Sequence, residues 1–168
     1  MTATRRAGAA RPQKPGRETA SDDRELLIVR TFDAPRALVW RAWTEGELTA
    51  KWMAPAGFTI PLSEGDLRPG GAWRAQMRSP EGELLHLAGV YREIVPPERL
   101  VFTHAWTDEH GKPGPETLVT VTLAEEGGKT VMTFRQSGFS SAASRDGHGE
   151  GWTECFDRLV ELLAETEG

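Results

Sequence analysis

Trp152-Thr153-Glu154-Cys155-Phe156-Asp157-Arg158-Leu159-Val160-Glu161-Leu162-Leu163 is the stretch that decides the fold of this chain. Trp152, Cys155, Phe156, Leu159, Val160 and Leu163 recur at helical spacing, with Thr153, Glu154, Asp157, Arg158 and Glu161 between them. Such spacing describes a helix with one apolar stripe, which has to be laid on an equally apolar surface. About seven strand-like segments lie upstream and supply that surface. The expected fold is therefore α+β: a long C-terminal helix on one face of a sheet.

The first strand is the β-rich run Leu26, Leu27, Ile28, Val29, Thr31 and Phe32, beginning at Glu25 and ended by Asp33. Asp33-Ala34-Pro35 then offers a capping side chain and a helix-starting proline, so a short helix is expected from about Pro35 to Thr44. A second helical piece over Glu47 to Lys51 precedes Trp52-Met53 and the breakers Pro55 and Gly57. Strands are expected over 59–66, 72–79, 84–95, 99–106, 116–124 and 129–136, separated by Arg68-Pro69-Gly70-Gly71, Ser79-Pro80-Glu81-Gly82, Pro96-Pro97, Gly111 to Pro115, and Gly127-Gly128. Connections this short make neighbours antiparallel. Trp73, Ala75 and Met77, then Phe102, His104 and Trp106, then Val119, Val121 and Leu123 alternate with polar residues such as Thr103, which gives one apolar and one wet face. In 84–95, Leu85, Leu87 and Tyr91 compete with Leu84, Ala88 and Val90 for the inner face, and a bulge near Gly89 would let both His86 and Tyr91 point inward.

With 168 residues and 38% hydrophobic content the chain can bury one core without staples. No apolar run approaches the roughly 20 residues of a membrane span, and the start of the chain has no apolar secretory core, so a cytoplasmic protein is expected. Residues 1–20 carry Arg5, Arg6, Arg11, Lys14 and Arg17 against Glu18, a balance of +4 that leaves −9 on the rest of a chain of net charge −5. Residues 1–22 read as a disordered basic tail and 23–168 as a single domain. An acidic body argues against a nucleic-acid partner. A homodimer is compatible with the sequence. Cys155, the single cysteine, sits on the apolar helix stripe as a small hydrophobe.

A helix resting on a concave sheet cannot touch every strand, so the gap is filled by large side chains or left for a guest. Trp52, Trp73, Met77, Phe102, His104, Trp106, Val119, Val121, Met132, Phe134, Trp152 and Phe156 are the residues expected to bind such a guest; a plain packed core uses the same residue types. Trp40 and Trp43 on the first helix suit a seal at one end of the core. For proton transfer the candidates are His104, in phase with Phe102 and Trp106, with Tyr91 or Glu93 assisting; Asp66 reads as a turn residue. Ser137, Ser140, Ser141 and Ser144 near Asp146 and His148 lack a Gly-x-Ser-x-Gly turn and suit a helix start. Gly147, Gly149 and Gly151 miss the dinucleotide spacing, and they suit a bend or a close approach of helix and sheet. His86, His104, His110 and His148 show no paired ligand spacing, so no metal and no cofactor are expected.

Several short motifs carry a family resemblance: Asp33-Ala34-Pro35 with Val39-Trp40-Arg41-Ala42-Trp43-Thr44, Trp52 before Pro55 and Gly57, Asp66-Leu67-Arg68-Pro69-Gly70-Gly71, Gly89-Val90-Tyr91 with Glu93-Ile94, Pro97-Glu98-Arg99-Leu100, and Gly151-Trp152. In this order, over about Glu25 to Ala164, the chain resembles the activator of heat-shock-protein-90 ATPase homologue family, part of the START-like (Bet v 1-like, SRPBCC) superfamily. The resemblance implies a helix-grip fold, a curved antiparallel sheet around the C-terminal helix with two short helices between its first two strands. Its cavity in related domains accepts lipids, polyketides or other apolar molecules. Carriers, receptors, cyclases and co-chaperone domains all occur on this fold, so it does not imply one chemistry. Three functions stay open. The first is binding of a lipid, polyketide-like or flavonoid-like molecule; the second is a cyclase, dehydratase or hydrolase acting on an aromatic or polyketide-like substrate. The third is a chaperone-associated protein, although a basic tail stands here in place of the eukaryotic activator's large N-terminal domain.

Overall fold

The computed structural model describes residues 24–167, so the expected tail 1–22 lies outside the described residues. In chain order the elements are β1 (Glu25–Phe32), α1 (Arg36–Thr44), α2 (Gly46–Trp52), β2 (Thr59–Gly65), β3 (Ala72–Arg78), β4 (Leu84–Val95), β5 (Arg99–Thr107), β6 (Pro113–Glu126), β7 (Lys129–Ser137) and α3 (Ala142–Glu167). The strands form one curved antiparallel sheet in the order β1-β7-β6-β5-β4-β3-β2, with α3 along its inner face. This is the helix-grip arrangement. Among the described residues no helix is long and apolar enough to cross a membrane.

Local chemistry accounts for most boundaries and corrects some expectations. Ser141 Oγ accepts the Ser144 backbone N–H at 3.0 Å, as a serine at a helix start should. Asp33 does not cap α1. Pro35 is the capping residue, with an extended backbone, and its carbonyl takes the N–H groups of Leu38 and Val39 at 3.0 and 3.2 Å, which puts Asp33 two residues too early. In β4 the register shifts between Tyr91 and Glu93 rather than at Gly89. Leu85, Leu87 and Tyr91 therefore take the inner face, and beyond the shift Ile94 packs on the core three residues after Tyr91. Thr103 is buried rather than on a wet face, because its Oγ1 accepts the Val90 N–H at 2.8 Å.

The two halves of α3 do different work. Phe156, Leu159, Leu162 and Leu163 close onto Phe32, Val39, Val119, Val121, Met132 and Phe134 in a continuous core. Val160 turns outward at 43% exposure and Leu162 takes its place on the stripe. In the other half, Ser144, Gly147, His148, Gly151, Trp152 and Cys155 face the β2–β5 side of the sheet. Three of those six carry little or no side chain, so the helix does not fill the space it faces.

Of the helical glycines, Gly149 shows the expected close approach: a Cβ there would stand 3.1 Å from Leu26 Cδ1. Gly147 has nothing within 4 Å of such a Cβ. Gly147→Ala is therefore expected to stabilise the fold by about 0.5–1 kcal/mol through helix propensity. A lower urea midpoint for this variant would show that the position serves a contact absent from this structure.

Candidate ligand cavity

The unfilled space is a cavity of about 520 Å³ between β2–β5, the first half of α3 and the ends of α1 and α2. That volume lies within the ~300–1,000 Å³ typical of small-molecule sites. Trp73, Ala75 and Met77 of β3, Leu85, Leu87 and Tyr91 of β4, and Leu100, Phe102, His104 and Trp106 of β5 form its floor. Met53, Pro55 and Phe58 form a lip from the α2–β2 loop. Two α3 side chains one turn apart hold that loop. Arg158 donates to the carbonyls of Ala54, Pro55 and Phe58 at 2.8, 3.2 and 3.1 Å, and Glu154 Oε1 accepts the Ala56 N–H at 2.9 Å.

Two glycines let aromatic side chains lie across the floor. The Trp73 indole crosses β4 at Gly89, and its Nε1 donates to the Thr103 carbonyl of β5 at 3.1 Å. A Cβ on Gly89 would overlap both that carbonyl oxygen and the indole nitrogen. At Gly65 a Cβ would stand 3.1 Å from the Tyr91 hydroxyl. Glycine at position 89 is thus a condition for the indole above it, whereas a side chain at Gly65 would press on the Tyr91 phenol and Trp73 Cβ by a few tenths of an ångström.

The back wall is held by a buried polar chain. Trp152 Nε1 donates to Gln136 Oε1 at 2.8 Å, Gln136 Nε2 donates to Thr117 Oγ1 at 2.8 Å, and Thr117 Oγ1 donates to the His104 carbonyl at 3.0 Å. Gln136 is fully buried. Gln136→Leu keeps the approximate volume but strands the Trp152 N–H, at an expected cost of about 2 kcal/mol. Urea unfolding measures it; a stability equal to wild type would mean that the indole finds another acceptor.

Chemistry fixes the state of His148. The Trp106 indole N–H can only donate and reaches His148 Nε2 at 2.9 Å, so Nε2 is an acceptor. Nδ1 lies 2.8 Å from the Ser144 carbonyl, which can only accept, so Nδ1 carries the proton. Both His148 nitrogens are thus committed.

His104 differs. It is 5% exposed and sits among the rings of Trp73, Trp106, His148 and Trp152, at centroid distances of 5.7–6.3 Å. Among the described residues no other residue hydrogen-bonds its ring. Burial, and then the neighbouring His148, push its pKa down to about 4. Burial likewise raises the Tyr91 phenol above its usual range. Both groups are uncharged at neutral pH. Cys155 lies on the wall with its thiol pushed up to about 12 by burial, in keeping with a small hydrophobe.

The sequence model of the activator of Hsp90 ATPase homolog 1-like proteins matches residues 33–164. The chain belongs to this family. Solved structures similar to it include a Nitrosomonas europaea protein, 28% identical over 88% of this chain and 99% of that one, with a TM-score of 0.75. An Arthrobacter aurescens protein is 26% identical over 87% of this chain and 90% of that one, with a TM-score of 0.79. A family member from Silicibacter pomeroyi is 25% identical over 84% of this chain and 99% of that one, with a TM-score of 0.77. None of the curated proteins compared matches the chain.

In this member of the family, Trp73, Met77, Phe102, His104, Trp106 and Trp152 of the residues proposed from the sequence to hold a guest stand on the cavity wall, together with Tyr91. Trp52, Val119, Val121, Met132, Phe134 and Phe156 do not. They belong to the solid core under the second half of α3, and Trp52 is fixed there by its Nε1 bond to the Ala42 carbonyl at 2.9 Å. Alternation put Val119 and Val121 on the inner face, but it carried no information about which strands α3 covers. Glu93 stands away from the cavity past the β4 register shift, half exposed and paired with Arg99 at 2.9 Å. Trp43 both seals the core and lines the cavity; its buried indole nitrogen finds no hydrogen-bond partner among the described residues. Met53, Phe58, Ile60, Leu85 and Leu87 were missing from the expected set. The inner-face parity of β4 was the signal for the last two; nothing in the spacing marked the loop.

Proposed function

We propose that the protein binds a mostly apolar, ring-containing small molecule in the cavity between sheet and helix. The observation that carries this reading is an unfilled, aromatic-floored space of about 520 Å³ in an otherwise closely packed interior. Lipid, polyketide-like and flavonoid-like molecules are the classes to compare, since each has the apolar area such walls can cover. Proton-transfer chemistry draws less support. An imidazole with a pKa near 4 is a poor base at neutral pH, and neither nitrogen of His148 is free to help it. Chaperone association rests on the family's name alone.

Thermal unfolding in the presence of a panel of lipids, flavonoids and aromatic polyketides tests the reading. A ligand held at 100 times its dissociation constant stabilises the fold by about 2.7 kcal/mol, and tryptophan fluorescence should change over the same concentrations. A panel that leaves both signals flat contradicts it.

A further inference from the structure

We propose that the cavity selects an uncharged, flat molecule carrying two hydrogen-bonding groups, one met by the His104 imidazole and the other by the Tyr91 hydroxyl. This rests on the ligand-binding reading above and narrows it to a chemical class. The walls exclude the charged alternatives. No lysine or arginine lines the cavity among the described residues, so a carboxylate or phosphate carried inside would lose its hydration without gaining a counter-charge. Glu64, at the β2 wall, is the ionised side chain present, and it is already paired with Arg74 and half exposed. A cationic guest therefore finds aromatic faces but no free carboxylate.

The polar groups that remain available define where such a guest is held. The indole N–H groups of Trp73, Trp106 and Trp152 are taken by Thr103, His148 and Gln136, and both His148 nitrogens are engaged. Thr44, Thr49 and Ser63 are likewise bonded within the protein, and the His104 ring and the Tyr91 hydroxyl, beside the Gln76 amide and the Ser144 hydroxyl, line the cavity with no such bond from another residue. The His104 ring N–H is engaged by its own backbone, which leaves one ring nitrogen to accept, and a phenol both donates and accepts, so a hydroxyl group suits either point. Tyr91 pairs across the sheet with Phe102, and His104 lies two residues further along the same face of β5. That diagonal spans about 7–8 Å between backbones, and the Tyr91 hydroxyl reaches away from β5 to Gly65 of β2, so the two polar points stand further apart than the backbones do. Between the two points Phe102 and Trp73 meet edge to face at 5.7 Å and form an apolar floor. The arrangement suits a flat ring system with a polar group at either end.

Calorimetric titration of wild type, His104→Phe, His104→Gln and Tyr91→Phe with naphthalene, 2,6-dihydroxynaphthalene and 2-naphthoate tests the proposal. The dihydroxy compound should bind wild type at least about tenfold more tightly than naphthalene, and the anion should bind more weakly than either, because a buried hydrogen bond is worth about that factor and an unpaired charge is penalised. His104→Phe and Tyr91→Phe should each remove about tenfold from the dihydroxy compound and affect naphthalene several-fold less, with His104→Gln recovering part of the loss. Retained naphthalene binding shows that each variant has kept its cavity. Equal binding of anion and dihydroxy compound, or variants without selective effect, overturns the proposal and leaves the cavity reading standing. No binding of any of the three overturns both.

Discussion

Acidification from pH 6.5 to 4 is expected to destabilise the fold by about 3 kcal/mol through His104 alone. Unfolded, this histidine titrates near 6.5; folded, its pKa is lowered to about 4, first by burial and then by His148. A depressed histidine pKa means that the unfolded chain takes up a proton in this window and the native protein does not. Stability therefore falls as pH drops from 6.5 toward 4, by up to about 1.4 kcal/mol per pH unit, and below 4 the native protein binds the proton as well. Above 6.5 both states are neutral at this position and the effect vanishes. His104→Phe removes the titrating group while keeping a ring among Trp73, Trp106 and Trp152. Urea unfolding of wild type and variant at pH 7, 5.5 and 4 should give curves that separate as acid is added, the variant being the less acid-sensitive. Parallel losses would show that the native imidazole takes up its proton as readily as the unfolded one.

Ala75→Trp is expected to abolish ligand binding while leaving the protein folded. Ala75 sits on the cavity floor between Trp73 and Met77 on the inner face of β3, where its side chain is the smallest of the three. An indole there occupies the space a guest would use, buries apolar area and suits a strand position. Affinity for any ligand found by the thermal panel should drop at least about a hundredfold, equivalent to about 2.7 kcal/mol, with the melting temperature of the free protein unchanged or raised. Retained affinity would place the ligand elsewhere on the molecule. A variant that melts far below wild type would mean that the cavity cannot accept an extra ring and is smaller than its walls indicate.

The sequence is most legible where a periodic pattern meets a single environment. β5 and β6 lie between short turns, and their alternation placed Phe102, His104, Val119 and Val121 on the inner face, although β5 proves to be buried on both faces. The helix stripe was read almost as well; Val160 and Leu162 exchanged roles, since both lie near its edge. What the pattern could not supply is the extent of the helix's contact. Inner-face residues of β6 and β7 become core and those of β3 to β5 become cavity wall because α3 presents Phe156 and Leu159 to one side and Gly147 and Gly151 to the other. This assignment depends on how the helix lies on the sheet, which period alone does not encode. The lip residues Met53, Pro55 and Phe58 belong to a loop, where no period exists, and their anchor Arg158 reads in sequence as an ordinary solvent-facing charge. Glu93 misled because a one-residue register shift turned it outward.

The account depends on the cavity being a place that a small aromatic molecule enters and occupies. The most direct measurement is anomalous diffraction from crystals soaked in 4-iodophenol, an uncharged ring with one hydroxyl and one heavy scatterer. The expected result is an iodine peak enclosed by Trp73, Phe102, Trp106 and Trp152, with the phenol oxygen within hydrogen-bond distance of His104 or Tyr91. Iodine found only on the outer surface, with the cavity empty or filled by ordered water, would contradict it.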